Sequence, residues 1–110
     1  MVDTVADNAS AGGFAVGEWR RDWRALDMTQ LGMVMYVNGE PQAIGAGAAA
    51  LGHPARCVAW LANKLAHHGQ HLEAGEIILA GSFTRPMWVE RGDTVHADYG
   101  ELGVVSCRFV

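Results

Sequence analysis

His67, His68 and His71 stand close together, and the first and last are one helical turn apart, the separation at which two imidazoles can share a zinc or nickel ion. Gly69 falls between them and predicts a helix end, which breaks that geometry, and no third ligand at fixed spacing accompanies them. They read instead as exposed histidines near the carbonyl end of a helix, where positive charge is favoured. Lys64 is the only lysine and the obvious candidate for Schiff-base or general-base chemistry, which needs a depressed pKa. Its mid-helix place on the polar side predicts an ordinary solvated amine. His53 reads as a helix-cap residue and His96 as a strand-face residue.

Two loops concentrate short polar groups. The stretch Asp7-Asn8-Ala9-Ser10-Ala11-Gly12-Gly13 ends in a glycine pair that can expose backbone N–H groups. A turn held by an Asx-type bond and a substrate-facing loop carrying Ser10 both fit it. Gly81-Ser82-Phe83-Thr84-Arg85-Pro86 directly follows an apolar run, so a strand end would deliver two hydroxyls and a guanidinium into one loop. Arg85 can grip a carboxylate bidentately, as arginine does better than lysine. Residue types alone favour a surface arginine there.

Local sequence chemistry indicates the elements that would hold these loops. Leu31 to Val37 is rich in β-forming residues and runs into Asn38-Gly39, a strong hairpin signal. The return arm, Gln42 to Ala50, alternates Gly45 and Gly47 among alanines, so another backbone or a ligand could approach it closely. Pro54 suits the first turn of a helix and Gly69 its end, while Val58, Leu61, Ala62 and Leu65 recur at helical spacing and predict a face packed on a sheet. Ile77 to Ala80, Thr94 to Tyr99 and Val104 to Phe109, each bounded by glycines, read as three further strands. Glu18 to Asp27 reads as loop or short helix. The expectation is an α+β fold, a mostly antiparallel mixed β-sheet or roll with one main helix over about residues 53–68, forming a single domain over 1–110.

The bulk numbers narrow the function classes. A chain of 110 residues has room for one modest core. Eight Lys and Arg against twelve Asp and Glu leave a formal charge of −4, and the arginines are scattered, so no footprint for nucleic acid or an anionic membrane appears. The longest near-apolar run, Ala46 to Leu51, is far shorter than the roughly 20 residues that span a bilayer. Met1-Val2-Asp3-Thr4-Val5 lacks the basic start and apolar core of a secretory signal, so a cytoplasmic setting is expected. Cys57 and Cys107 have no metal or redox spacing and read as small buried apolar residues.

Three segments together carry a family resemblance: Gly45-Ala46-Gly47 through His53-Pro54, Val58-Ala59-Trp60-Leu61-Ala62-Asn63-Lys64-Leu65, and Leu72 through Pro86. With Val5-Ala6-Asp7-Asn8-Ala9-Ser10, Gly92-Asp93-Thr94, Ala97 to Gly103 and the terminal Cys107-Arg108-Phe109-Val110, practically the whole chain resembles the 2-keto-4-pentenoate hydratase and 4-oxalocrotonate decarboxylase group of the fumarylacetoacetate hydrolase superfamily, in its carboxy-terminal part. The resemblance implies a lyase of meta-cleavage pathways that degrade aromatic compounds, acting on small 2-oxo unsaturated acids. It also implies a magnesium ion that grips the carboxylate and 2-oxo group as a Lewis acid. By resemblance Ser10 lies beside the substrate as a catalytic residue, and Asn8, Ser82, Thr84 and Arg85 line the pocket. The Ser82-Phe83-Thr84-Arg85-Pro86 loop resembles forms associated with dicarboxylates, which implies that Arg85 pairs with a distal carboxylate, as in 2-oxohex-3-enedioate or 2-oxohept-4-ene-1,7-dioate.

The resemblance also implies that the magnesium ligands, an E-x-E pair with a third acid, and a catalytic lysine lie upstream of the Asp-Asn-Ala-Ser motif. None of the six glutamates here stands two from another, and Lys64 does not match the family lysine. The expectation is therefore a chain with no metal ligands of its own, a truncated or partial form of a longer enzyme, inactive in isolation. A two-chain enzyme and a noncatalytic, oligomerising binding module are the alternatives, and resemblance implies homo-oligomers.

Overall fold

The computed structural model describes Ala9 and residues 11–110. Four strands, β1 (Gly32–Val37), β2 (Glu40–Ala46), β3 (Thr94–Asp98) and β4 (Val104–Arg108), form an open sheet in the order β2-β1-β3-β4. Every neighbouring pair is antiparallel. Among the described residues the one α-helix, α1, spans Pro54–Ala66, and short 3-10 turns occupy Trp23–Ala25, Gly47–Ala49 and Gly100–Leu102.

The β1–β2 hairpin forms where Asn38-Gly39 requires it. Both residues have positive φ, 53° and 86°, the backbone that a tight turn matched to strand twist demands. Just before the turn the register shifts between Met35 and Tyr36, so that Met35 faces Ala43 and Tyr36 faces Pro41. Proline is tolerated there because β2 is an edge strand. The expected return arm to Ala50 ends at Ala46, and the chain tightens into the Gly47–Ala49 turn.

Helix α1 is capped at both ends by the residues that sequence chemistry selects. His53 Nδ1 accepts the Ala55 N–H at 3.1 Å, and Pro54 occupies the first turn, where a missing N–H costs nothing. At the other end Gly69 takes φ +68°, Gln70 N–H reaches Leu65 C=O at 3.0 Å, and Gly69 N–H reaches Ala66 C=O at 3.1 Å. This paired bonding satisfies carbonyls the helix would otherwise leave open.

Three expectations need correction. Ile77 to Ala80 is not a strand: none of its backbone groups pairs with another among the described residues, and a strand exists only with a neighbour. Helix α1 shares no extended interface with the sheet. Cys57, Leu61, Ala62 and Leu65 are its half-buried positions, and Leu61 lines a hollow with Leu72, Ile77 and Leu79. Cys57 is half-buried and Cys107 exposed, the latter because β4 lies at the sheet edge.

The core is small. Among the described residues only Met33 and Ala50 are buried apolar side chains, each 4% exposed, whereas Trp88 is fully exposed and Ile44 and Trp19 are three-quarters so. The chain presents 8819 Å² to solvent, while a compact monomer of 11.8 kDa presents about 5,900 Å². About 2,900 Å² therefore lies open beyond what a finished globule of this mass would leave, and large apolar side chains contribute to it. No helix among the described residues is long and apolar enough to cross a membrane.

Candidate functional site

The loop from Gly81 to Pro86 is positioned by its phenylalanine. A Cβ placed on Gly45 of β2 would lie 2.7 Å from both the Cβ and the carbonyl oxygen of Phe83, so the bare glycine backbone is what lets the loop reach the strand. Gly45 is itself fixed from the side, because it pairs across the ladder with Met33, one of the two buried apolar residues. The Phe83 ring then meets Tyr99 edge-on, with centroids 6.4 Å apart and planes at 70°. Tyr99 is held in turn at the end of β3, where its N–H donates to Gly103 C=O at 2.9 Å and Gly100 N–H donates to Asp98 Oδ1 at 2.8 Å.

Gly47 repeats the device one step along the arm. A Cβ there would collide with the Met28 carbonyl, and the crossing is secured by Gly47 N–H to Leu31 C=O at 2.9 Å and Ala48 N–H to Thr29 C=O at 3.0 Å. The small-residue arm expected to admit a backbone thus admits two. Phe83, Tyr99 and Met28, the residues that exploit it, were not singled out by residue type. The alternation of Gly45 and Gly47 was the signal that pointed to such an approach.

Beside the inserted Phe83, Ser82 and Arg85 are exposed and Thr84 is half-buried. No carboxylate among the described residues forms an ion pair with Arg85. The loop stands between two apolar hollows. One, of about 890 Å³, is lined by Phe14, Leu61, Leu72, Ile77, Leu79 and Gly81, and also by Ala9, Ala11, Gly12 and Gly13. The other, of about 430 Å³, is lined by Phe83 and Tyr99 with Trp23, Met28 and Leu31, and Arg20 at its rim. Asn8 and Ser10 lie outside the described residues. Their described neighbours Ala9 and Ala11 line the same hollow as the start of the Ser82–Arg85 loop.

The wall around the second hollow is braced by charge. Arg20 donates Nε to Asp22 Oδ1 at 2.8 Å and Nη2 to Asp22 Oδ2 at 2.6 Å, and its Nη1 reaches the carbonyl of Glu101 at 2.9 Å. The guanidinium, through its hydrogen bonds first, holds the Asp22 carboxyl below the usual carboxylate range. Asp27 is likewise lowered, chiefly by the Thr29 hydroxyl and then by the Thr29 N–H.

The remaining sequence candidates separate. His67 closes α1 and, with His68, is exposed, while His71 Nε2 lies 3.4 Å from Glu73 Oε1. Lys64 is exposed near the end of α1, as its helical position implies. His96 stands on the outer sheet face with Ser106 Oγ at 2.7 Å from its Nδ1 and Tyr36 edge-on at 6.0 Å. Among the described residues no three His, Cys, Asp or Glu side chains converge, so these residues do not fit a magnesium site, a hard cation that needs several oxygens at short range.

Comparison with known proteins agrees with this architecture. The model described as "Fumarylacetoacetate (FAA) hydrolase C-terminal" matches residues 1–110. The 2-oxo-hept-4-ene-1,7-dioate hydratase of Escherichia coli is 50% identical over 110 residues, covering 100% of this chain and 41% of that protein. A 4-oxalocrotonate decarboxylase of Pseudomonas putida is 44% identical over 110 residues, again 100% of this chain and 42% of the relative. The solved structure of 4-oxalocrotonate decarboxylase from Pseudomonas putida G7, complexed with magnesium and adipate, superimposes with a TM-score of 0.92 at 45% identity, over 99% of this chain and 41% of that one. The same enzyme has been solved with calcium and acetate. The chain spans about two-fifths of the length of these relatives. An end-to-end match of this kind, on a fold whose loop and glycine arm interlock as described, establishes that the chain belongs to the fumarylacetoacetate (FAA) hydrolase family, in its C-terminal domain.

Proposed function

We propose that this chain is the carboxy-terminal portion of the catalytic domain of a magnesium-dependent lyase, a hydratase or decarboxylase of 2-oxo unsaturated dicarboxylates in the meta-cleavage degradation of aromatic compounds. The observation that carries this reading is the coincidence of a match between the whole of this chain and two-fifths of two such enzymes with an unfinished core. The roughly 2,900 Å² of excess surface is of the size that permanent partners bury. The remainder of a longer polypeptide, about three-fifths of the length of such relatives, is its natural cover.

In this reading the chain supplies one wall of the substrate pocket. Arg85 holds the distal carboxylate through a two-point charge-assisted bond, which monocarboxylates cannot form. Two supports are the diacid named for the hydratase relative and the adipate, also a diacid, in the decarboxylase structure. Ser82 and Thr84 offer hydroxyls on the same loop, and Asn8 and Ser10 approach the substrate from the amino-terminal motif. Residues outside the described ones hold the metal, since the described residues give it no cage. The isolated 110-residue chain is inactive.

The test is a fusion protein joining the uncovered amino-terminal part of the Escherichia coli hydratase to residues 1–110. With magnesium it is expected to hydrate 2-oxo-hept-4-ene-1,7-dioate or to release carbon dioxide from 4-oxalocrotonate. A folded fusion with neither activity would refute the reading. The open apolar surface also favours a second reading, a noncatalytic module that self-associates. Under that reading the purified chain alone forms a stable oligomer and the fusion gains no lyase activity.

A further inference from the structure

We propose that Gly45 is a positioning residue for substrate selection, acting through Phe83: the absence of a side chain at Gly45 fixes where the Ser82-Thr84-Arg85 face of the loop stands. This inference rests on the pocket reading above. Three observations carry it. First, both atoms that a Gly45 Cβ would strike, at 2.7 Å, belong to the Phe83 main chain or its first side-chain atom, so a rotamer change of the ring cannot relieve the collision. Second, retreat of the strand is resisted, because Gly45 is paired with the buried Met33 and β2 is tied to β1 along the hairpin. Third, the far side of Phe83 is closed by Tyr99, which is itself bonded into the turn after β3. A methyl group at Gly45 must therefore move the loop backbone, and Thr84 and Arg85, the next two residues, move with it. Real side-chain carbons essentially never approach other heavy atoms within 3.0 Å, so the shift is obligatory.

Gly32, in the adjacent strand, gives the contrast. A Cβ there meets only the Gly45 carbonyl, at 4.0 Å, an ordinary contact. The two glycines lie in the same hairpin, and only one of them receives the loop.

The experiment is steady-state kinetics of the fusion protein with 2-oxo-hept-4-ene-1,7-dioate and with a 2-oxo monoacid of equal length. Gly45→Ala is expected to raise KM for the diacid about tenfold while kcat stays within about threefold, the pattern of a lost binding contact, and to reduce the preference for diacid over monoacid by a similar factor. Gly32→Ala is expected to leave both KM values unchanged. A merely structural role for Gly45 would instead lower the active fraction, and so kcat, for both substrates alike. Phe83→Ala removes the inserted ring without adding a clash, and is expected to loosen the loop and raise KM for the diacid about fivefold. It decides the matter should Gly45→Ala fail to fold. Unaltered diacid preference in a folded Gly45→Ala variant, or in Phe83→Ala when only that one folds, overturns the inference while leaving the lyase reading in place. An inactive parent fusion would overturn the lyase reading itself.

Discussion

The side chain of Asn38, at the tip of the β1–β2 hairpin, is bonded to Asp93 at the start of β3: Nδ2 donates to Asp93 Oδ1 at 2.8 Å, and Asn38 Oδ1 accepts the Thr94 N–H at 3.0 Å. Asp93 Oδ2 accepts the Glu90 N–H at 2.8 Å, so one asparagine and one aspartate join two turns that are distant in sequence. This knot sets the β1–β3 register on which the rest of the sheet is built.

Asn38 has two jobs, a left-handed backbone and a bonding side chain, and substitutions separate them. Asn38→Gly keeps the backbone and loses the bonds, whereas Asn38→Ala loses both. The alanine variant is expected to be less stable than the glycine variant by about 1 kcal/mol, the cost of placing a Cβ at positive φ. Denaturant titration of the fusion protein measures the difference.

Asp93 gives a pH signature. The Glu90 N–H, and after it the Asn38 amide, hold its carboxyl below the usual range. A folded-state pKa that is depressed contributes stability above the unfolded value of about 3.9 and loses it as pH falls through the folded value. The stability gap between the parent and Asp93→Asn is expected to be constant from about pH 5 upward and to shrink below about pH 4. Urea midpoints of the two proteins across that range check it. A gap that widened on acidification would show that the bonds seen at Asp93 do not favour its ionised form.

Gly47 is buried and faces the Met28 carbonyl, while Gly12 has open space around it. Gly47→Ala is expected to destabilise by about 3 kcal/mol, as overpacking against backbone does, and Gly12→Ala to be near neutral. Thermal unfolding of both variants distinguishes a crowded arm from a generally glycine-sensitive fold.

Elements with local determinants were legible in the sequence. Asn38-Gly39 forces a turn through its own backbone preferences, and Pro54, His53 and Gly69 delimit α1 with atoms within a few residues of the helix. Strands β3 and β4 follow from short apolar runs between glycines. Elements that depend on distant partners were not legible: Ile77 to Ala80 carries every strand preference yet pairs with no backbone among the described residues, and the apolar stripe of α1 meets no extended sheet interface among them. The site divides in the same way. Gly45 and Gly47 announced a close approach, but that Phe83 and Met28 make it follows only from the tertiary path. Asn8 and Ser10 came from family resemblance and lie outside the described residues, so their placement in the pocket remains a proposal.

Arg85 tests the substrate class. Replacing it by alanine in the fusion protein is expected to raise KM for a diacid about 10- to 100-fold, the worth of a charge-assisted contact, and to leave KM for the matching monoacid unchanged. Arg85→Lys is expected to recover part of the loss, since charge is kept and the two-point geometry is not. Equal losses for diacid and monoacid would remove Arg85 from the distal-carboxylate role.

We propose that residues 1–110 form a pocket wall that becomes catalytic only when more of the polypeptide covers its open apolar faces. Initial rates of magnesium-dependent turnover, with the isolated chain and the fusion protein assayed side by side on 2-oxo-hept-4-ene-1,7-dioate, measure it most directly. No turnover is expected from the chain alone, and the fusion is expected to show turnover that disappears with EDTA. Turnover by the purified chain alone, sensitive to EDTA, would contradict the proposal.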